Sequence, residues 1–251
     1  MNPALTSMAV VGFGAFGRFM CAHLRSRFGV CVSDAADRAN EARELAVPFV
    51  ALADAAHADV LVLAVPVQRM ERLLRELAPL LAGRSTLVID VASVKVKPIA
   101  LMRDLLPASV EIIGTHPLFG PQSGKNGIGG LPIAFCPVRA SAERVACVRA
   151  FLSETLKLRV LDVSPEEHDR QMAYVQGLTH LVSRAAAALE LPKTELATVA
   201  YKRFAEMSES LAGDSWELFK TIENENPFAA EVRREFAEHI AALEARLKAG
   251  G

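Results

Sequence analysis

Two segments of this chain carry side chains that could move a proton. His116 lies in Ile113-Gly-Thr-His-Pro-Leu-Phe-Gly-Pro-Gln-Ser-Gly-Lys-Asn-Gly127, a stretch of glycines, prolines and polar residues that follows the apolar run Val110–Ile113. The pattern predicts a buried strand and then a loop, with His116 at the mouth of the loop. An imidazole titrates near neutral pH and suits general-base work. The C-terminal ends of strands in an open α/β sheet are where ligands bind. Asp90-Val-Ala-Ser-Val-Lys95 follows a second apolar run, Thr86–Ile89, and puts Ser93 at the same predicted edge. A hydroxyl there can orient an imidazole or a substrate hydroxyl, although capping of the next helix explains a serine equally well.

Near the N-terminus stands Gly12-Phe13-Gly14-Ala15-Phe16-Gly17, between an apolar strand (Ser7–Val11) and a helical pattern with Phe16, Phe19, Met20 and Leu24 on one face. In a dinucleotide-binding turn the first glycine allows the tight bend, the second lets the backbone approach a pyrophosphate, and the third packs helix on strand. Gly12, Gly14 and Gly17 fit those places. The N–H groups where the helix starts, at Ala15 and Phe16, would face the phosphates. A second strand (Val30–Ser33) leads to the acid Asp34, at about the twenty-residue spacing of this fingerprint.

These residues need a scaffold, and the chain supplies one. Through residue 163, apolar runs alternate with helical patterns: Val60–Ala64, then Val67 to Leu81; Thr86–Ile89, then Val96–Leu106; and later strands at Leu131–Cys136 and Leu158–Val163 around a helix at 141–155. Such alternation predicts an α/β, Rossmann-type doubly wound sheet, mostly parallel. From Ser164-Pro165 onward only helical patterns remain. One should run to about Glu190, the next should open at Pro192 and break at Gly213-Asp214, and the last should open at Pro227. The expected division is a dinucleotide-binding domain at 1–163 and an all-helical domain at 164–251.

On the first of these helices Gln176 and His180 lie one turn apart on an otherwise apolar surface. They are either a hydrogen-bonded core pair or ligand-binding groups. His168 reads as part of a solvated first turn. Leu178, Leu181, Val182, Ala185 to Ala188 and Leu189 are apolar on more faces than one small domain can cover, which predicts a homodimer through the helical domain.

The bulk properties exclude other classes. Net charge is −1 and 51% of the 251 residues are hydrophobic, so nothing draws the chain to nucleic acid or a membrane surface. No apolar run approaches the roughly 18 residues of a membrane span, and no secretory leader pattern opens the chain. The four cysteines (Cys21, Cys31, Cys136, Cys147) lack metal spacing and read as buried reduced thiols of a cytoplasmic protein.

Taken together, the Gly12–Gly17 turn, Asp90-Val-Ala-Ser-Val-Lys95, Thr115-His116-Pro-Leu-Phe-Gly-Pro-Gln-Ser and Glu167-His-Asp, with Gln176 and Thr179-His180 downstream, resemble the arogenate/prephenate dehydrogenase family of tyrosine biosynthesis. The likeness is to its plant-like branch and covers residues 7–230. It implies NAD(P)-dependent oxidative decarboxylation of a cyclohexadienol, either arogenate to tyrosine or prephenate to 4-hydroxyphenylpyruvate, or both in a dual-specificity enzyme. In that reading His116 is the base, Ser93 orients it or the substrate hydroxyl, Gln176 and His180 hold the substrate, and Val65-Pro66 flanks the cofactor. Lys125, Lys202 and Arg203 are candidates for a substrate carboxylate by charge alone; Lys125 is the one carried forward.

Two features refine the resemblance. Members that use NADP have a serine-arginine pair at the end of the second strand, whereas this chain has Ser33-Asp34. An acid there repels a 2′-phosphate and favours NAD, with Arg18 or Arg38 as the route to NADP. Leu211-Ala-Gly-Asp214-Ser-Trp-Glu-Leu resembles the stretch that separates substrates in the family, an acid at that place being typical of arogenate-preferring members. Asp214 could equally N-cap the helix starting at Ser215. The competing readings are another two-domain dehydrogenase, of the β-hydroxyacid or imine-reductase kind, and a dinucleotide sensor without turnover. The first needs a catalytic lysine, for which Lys193, at the start of a new helix, is poorly placed; the second is opposed by His116.

Overall fold

The computed structural model describes residues 5–250. Contacts divide the chain into two compact units, Met1–Pro165 and Glu166–Gly251.

The first unit is built on a seven-stranded sheet in the order β2-β1-β3-β4-β5-β6-β7. Strands β1 (Ser7–Val11), β2 (Gly29–Ser33), β3 (Val60–Leu63), β4 (Leu87–Asp90) and β5 (Glu111–Pro117) are parallel. β6 (Pro132–Arg139) pairs antiparallel with β5, and β7 (Arg159–Asp162) parallel with β6. The helices are α1 (Ala15–Leu24), the short α2 (Ala39–Glu44) and α3 (Leu52–Ala55), α4 (Val67–Leu80), α5 (Val96–Leu105) and α6 (Ala142–Ala150), which runs on as a π-helical turn over Phe151–Thr155.

The strands lack polar alternation because both faces of the sheet are covered. Their side chains sort by parity into two cores. Met8, Val10, Val60, Val62 and Ile113 join Cys21 and Leu24 of α1 and Val148 of α6. Ala9, Val11, Leu61, Leu63 and Ile112 join Met70, Leu74 and Leu77 of α4 and Ile99 and Met102 of α5. Strand order reverses around β1, with β2 on one side and β3 on the other, and such switch points open a crevice at the strands' carboxyl ends. Gly12 turns the chain there at φ +101°, where a Cβ would stand 2.4 Å from the Ala64 carbonyl oxygen. A Cβ on Gly17 would stand 2.1 Å from the Gly12 carbonyl oxygen, so only glycine lets α1 sit this close to the turn.

One expectation at this edge is overturned. His116 does not stand at the mouth of a loop but inside β5, 4% exposed and paired with Ala134 of β6. The parallel partner β4 stops at Asp90, opposite Gly114, whereas antiparallel β6 pairs with Thr115, His116 and Pro117. A strand that keeps a partner on one side continues, and the loop starts only after Pro117.

The second unit is helical: α7 (Pro165–Met172), a π-helical segment Ala173–Leu178, α8 (Thr179–Ala187), α9 (Val199–Ala212), α10 (Trp216–Asn224) and α11 (Ala229–Lys248). The helix expected from Pro192 begins instead at Val199. Thr198 caps it, accepting from the Tyr201 N–H, and the Tyr201 hydroxyl donates to the Pro192 carbonyl at 2.7 Å, so the intervening residues are pinned as a turn. Lys193 therefore lies before the helix, exposed, rather than at its start. His168 is not solvated: it is 2% exposed, with Nδ1 2.7 Å from the buried Asp169 carboxylate. Cys21 and Cys136 are buried, but Cys147 is exposed and Cys31 half-buried, all four as free thiols. Burial pushes the Cys21 thiol up to about 12. Among the described residues no helix is long and apolar enough to cross a membrane.

Gly17→Ala is expected to destabilise the protein at the upper end of the roughly 1–3 kcal/mol typical of overpacking. Urea denaturation of the variant checks this, and a wild-type midpoint would mean that the turn relaxes freely.

Candidate active site

In the first unit the glycine turn is tied to both neighbours of β1. The Gly12 N–H donates to the Ser33 carbonyl and the Ala64 N–H to the Val11 carbonyl, each at 2.8 Å. Gly14 flanks the start of α1, and Gly14 and Ala15 are exposed. The first-turn N–H groups of a helix have no intrahelical partner and attract anions. A Cβ on Gly14 would meet nothing within 4 Å, so the approach to these groups is open. Asp34 is joined to the same turn: Oδ2 accepts the Phe13 N–H at 2.6 Å and Oδ1 accepts the Ala36 N–H at 2.9 Å. Val65 and Pro66, half-buried, lead from β3 into α4 beside Gly12. This set fits a dinucleotide, with open amides for a diphosphate and a carboxylate for ribose hydroxyls. Of the two arginines that could counter Asp34, Arg38 is paired with Glu41 at 2.9 Å and Arg18 is exposed on α1.

At the middle of the same sheet edge, the 91–95 loop and β5 are fastened together. Lys95 and Asp90 are an ion pair with both side chains fully buried. Lys95 Nζ also donates to the Thr115 carbonyl at 2.7 Å, one residue past the last β4–β5 pair, and the Thr115 hydroxyl donates to the Asp90 carbonyl at 2.8 Å. The Ala92 N–H donates to Asp90 Oδ1 at 3.0 Å. Ser93 rides on this loop and His116 follows Thr115, so the network ties together the two segments that carry the side chains expected to handle a proton. The residue flanking α5 is Lys95, so Ser93 does not cap that helix. The sequence reading drew only Ser93 from this motif. A lysine and an aspartate five positions apart at a strand end were the signal for the pair.

In the second unit Gln176 sits in the π-helical segment and His180 in α8. Gln176 Oε1 and His180 Nδ1 are buried with no hydrogen-bond partner among the described residues, so they are not a satisfied core pair. Asp214 Oδ2 stands 3.9 Å from His180 Nδ1, its side chain 35% exposed. Asp214 does not cap α10: Ser215 does, accepting the Leu218 N–H at 3.1 Å. Burial pushes the His180 imidazole below its ordinary range; Asp214 opposes that shift and Arg184 adds to it. Arg184, one further turn along α8, was missed from sequence, although it continues the spacing of Gln176 and His180. The cations proposed for a carboxylate, Lys125 on the β5–β6 loop and Lys202 and Arg203 on α9, are all exposed. No group of side chains able to hold a metal ion occurs among the described residues.

Residues 19–160 match the family described as prephenate dehydrogenase, nucleotide-binding domain, and residues 164–250 the one described as prephenate dehydrogenase, dimerization domain. The chain is 33% identical to arogenate dehydrogenase 1, chloroplastic, of Arabidopsis thaliana over 96% of its own length and 39% of that protein's. It is 33% identical to arogenate dehydrogenase 2, chloroplastic, of the same plant, over 89% of its length and 65% of that protein's. The chain thus spans less than two thirds of these relatives. Two solved structures share the fold: Synechocystis arogenate dehydrogenase (TM-score 0.69, 22% identity, 97% of this chain and 92% of that one) and a prephenate dehydrogenase from A. aeolicus in complex with hydroxyphenyl propionate and NAD+ (TM-score 0.74, 19% identity, 99% and 93%).

The lowered proton affinity of His180 has a consequence for stability. A histidine held neutral by the fold binds its proton more readily when unfolded, so its contribution is present above the ordinary histidine range and lost as pH falls below it. Between about pH 7.5 and 5 the urea midpoint of the wild type should fall more steeply than that of His180→Gln. Parallel curves would contradict the burial argument.

Proposed function

Because the chain belongs to the prephenate dehydrogenase family, we propose that it oxidatively decarboxylates L-arogenate to L-tyrosine, with NAD as hydride acceptor. The observation that carries the choice of substrate is Asp214. Its carboxylate lies 3.9 Å from His180, on the same unit as the orphaned polar atom of Gln176, and is relieved of capping by Ser215. Arogenate bears an ammonium where prephenate bears a ketone. A carboxylate makes a charge-assisted hydrogen bond with the first and gains nothing from the second. The names of the Arabidopsis relatives support the same choice.

NAD would be held by Gly12, Gly14, Ala15, Phe16 and Gly17, with Ser33 and Asp34 at the ribose and Val65 and Pro66 beside it, and when bound it supplies the hydride acceptor. The carboxylate of Asp34 disfavours the 2′-phosphate of NADP. His116 takes the proton of the ring hydroxyl as the carbon bearing that hydroxyl gives up its hydride. The bond from ring to carboxylate then breaks, CO2 leaves, and the electron pair completes the aromatic ring while the oxygen regains a proton as a phenol. Aromatisation makes the sequence irreversible. Ser93 orients His116 or the hydroxyl, and Gln176, His180 and Asp214 bind the substrate. Lys125 keeps a claim on a substrate carboxylate by charge alone.

The working form in this reading is a cytoplasmic homodimer joined through the helical unit. Support comes from the family description of residues 164–250 and from exposed apolar side chains of that unit, among them Val175, Leu189, Ile240, Leu243 and Leu247.

His116→Asn is expected to lower kcat by about 10²–10⁴-fold while leaving NAD affinity nearly unchanged, because the base acts on the substrate hydroxyl. Near wild-type turnover at neutral pH would move the base elsewhere. For the cofactor, kcat/KM should be higher with NAD than with NADP, and Asp34→Arg should narrow or reverse the gap; an unmodified protein that prefers NADP overturns the assignment.

Asp214→Asn tests the substrate. The isosteric change removes the charge and keeps the shape. The ratio of kcat/KM for arogenate over prephenate should fall by about one to two decades, the worth of one charge-assisted hydrogen bond. An unchanged ratio would sink the arogenate reading in favour of a prephenate or dual-specificity enzyme.

A further inference from the structure

The turn that carries Asp214 is held from outside by the side chain of Arg184. Arg184 Nη2 on α8 donates to the carbonyl of Asp214 and, at 3.4 Å, to that of Ser215. The guanidinium lies over two rings at the head of α10, 5.2 Å from the centre of Trp216 and 4.8 Å from that of Phe219. Those rings also meet each other, with centroids 5.1 Å apart. One planar cation thus binds the backbone of the turn through its edge and the start of the following helix through its face.

The local chain could not do this alone. Gly213, exposed, precedes Asp214 and leaves the backbone free to swing. The Asp214 N–H bond to the Leu211 carbonyl, at 3.2 Å, ties the turn back to α9 only. The Ser215 cap ties it forward to α10 only. Among the described residues, the turn is linked across to α8 by Arg184 and by the 3.9 Å approach of Asp214 to His180. An arginine suits the task because one guanidinium nitrogen reaches both carbonyls while the group lies over aromatic faces; a lysine is a point charge without that plane.

We propose that Arg184 is the positioning residue that holds the Asp214 turn against α8 and thereby sets how strongly the site separates an ammonium-bearing substrate from its keto counterpart. The inference rests on the reading that Asp214 meets the substrate's ammonium. The Nη2 of Arg184 is engaged by two carbonyls and its guanidinium lies over two rings, whereas its Nε is buried without a partner among the described residues, so the test must separate positioning from direct substrate contact. A displaced carboxylate loses its directed bond to the ammonium, while a substrate with a ketone at that place loses nothing. Removal of Arg184 should therefore cost selectivity more than it costs general activity.

The test uses Arg184→Met and Arg184→Lys beside Asp214→Asn, with arogenate and prephenate as substrates. Trp216 is the single tryptophan of the chain, so its emission reports the geometry of this turn directly. Arg184→Met should shift Trp216 emission and lower the arogenate-to-prephenate ratio of kcat/KM by about tenfold, most of the effect of Asp214→Asn. Arg184→Lys should fall between, because one carbonyl contact survives without the stacking. Asp214→Asn combined with Arg184→Met should show no further loss of ratio beyond Asp214→Asn alone, the signature of two residues acting as a unit. Should Arg184→Met fail to unfold cooperatively, the intermediate ratio of Arg184→Lys decides. A wild-type ratio in a folded Arg184 variant overturns the proposal. An equal rise of KM for both substrates also overturns it, making Arg184 a direct substrate contact, and so does an equal drop of kcat with lowered thermal stability, making it a structural residue. If Asp214→Asn leaves the ratio unchanged, the substrate reading has failed and this inference falls with it; if Asp214→Asn moves the ratio and the Arg184 variants do not, only the positioning role is lost.

Discussion

Lys95 carries its ammonium group into the interior of the sheet edge, and Asp90 meets it there with both side chains at zero exposure. Burying one of these charges without the other would cost several kcal/mol, so the chain between them and the strand beside them must adopt the arrangement that lets the two meet. Residues 90–95 bend into a tight loop, and the end of β5 stays alongside that loop through the two hydrogen bonds that join Thr115 to Lys95 and Asp90. The ion pair contributes little net stability by comparison with an apolar pair of the same volume. What it supplies is register. Ser93 and His116 come from segments that share no ladder hydrogen bonds beyond Gly114, and the buried pair substitutes for the ladder where β4 has ended.

The glycine turn solves a different problem at the same edge. Backbone amides at the start of α1 attract a diphosphate only if nothing blocks the way and if the helix sits close behind the turn. Gly14 keeps the front clear and Gly17 allows the close packing behind. Asp34 uses one carboxylate oxygen to hold the Phe13 amide, so the acid is fixed to the turn rather than free on a loop. A carboxylate so fixed discriminates between a ribose hydroxyl and a phosphate more sharply than a mobile one, because it cannot swing away from a repulsive partner.

In the helical unit the order is reversed, and polar atoms are buried before they are satisfied. Gln176 Oε1 and His180 Nδ1 are enclosed without partners among the described residues, at a cost that an apolar helix face would not bear. The π-helical turn over Ala173–Leu178 changes the angular step along the helix just where these residues begin, and π-turns of this kind often mark functional sites. The burial that leaves these groups unpartnered also makes His180 hard to protonate.

Much of this was legible in the residue pattern. Continuous apolar strands alternating with helices dictate a parallel sheet covered on both faces, since a strand with no polar side has no face to offer to water. Glycine spacing places a dinucleotide turn because only glycine relieves the clashes at positions 12 and 17. The motifs around Ser93, His116, Gln176, His180 and Asp214 supply candidates for one chemistry, because side-chain type and order along the chain are local properties. Tertiary structure decided what depends on neighbours far away in sequence. His116 lies in a strand rather than a loop because β6, folding back antiparallel, pairs beyond the end of β4. His168 is buried beside the buried Asp169 carboxylate, although the polar residues around it read as a solvated turn. Ser215 rather than Asp214 caps α10, and Arg184 reaches the Asp214 turn from another helix. Local sequence states which residues can accept a proton or a charge; which of them are enclosed, paired or left waiting is set by the contacts that folding brings together.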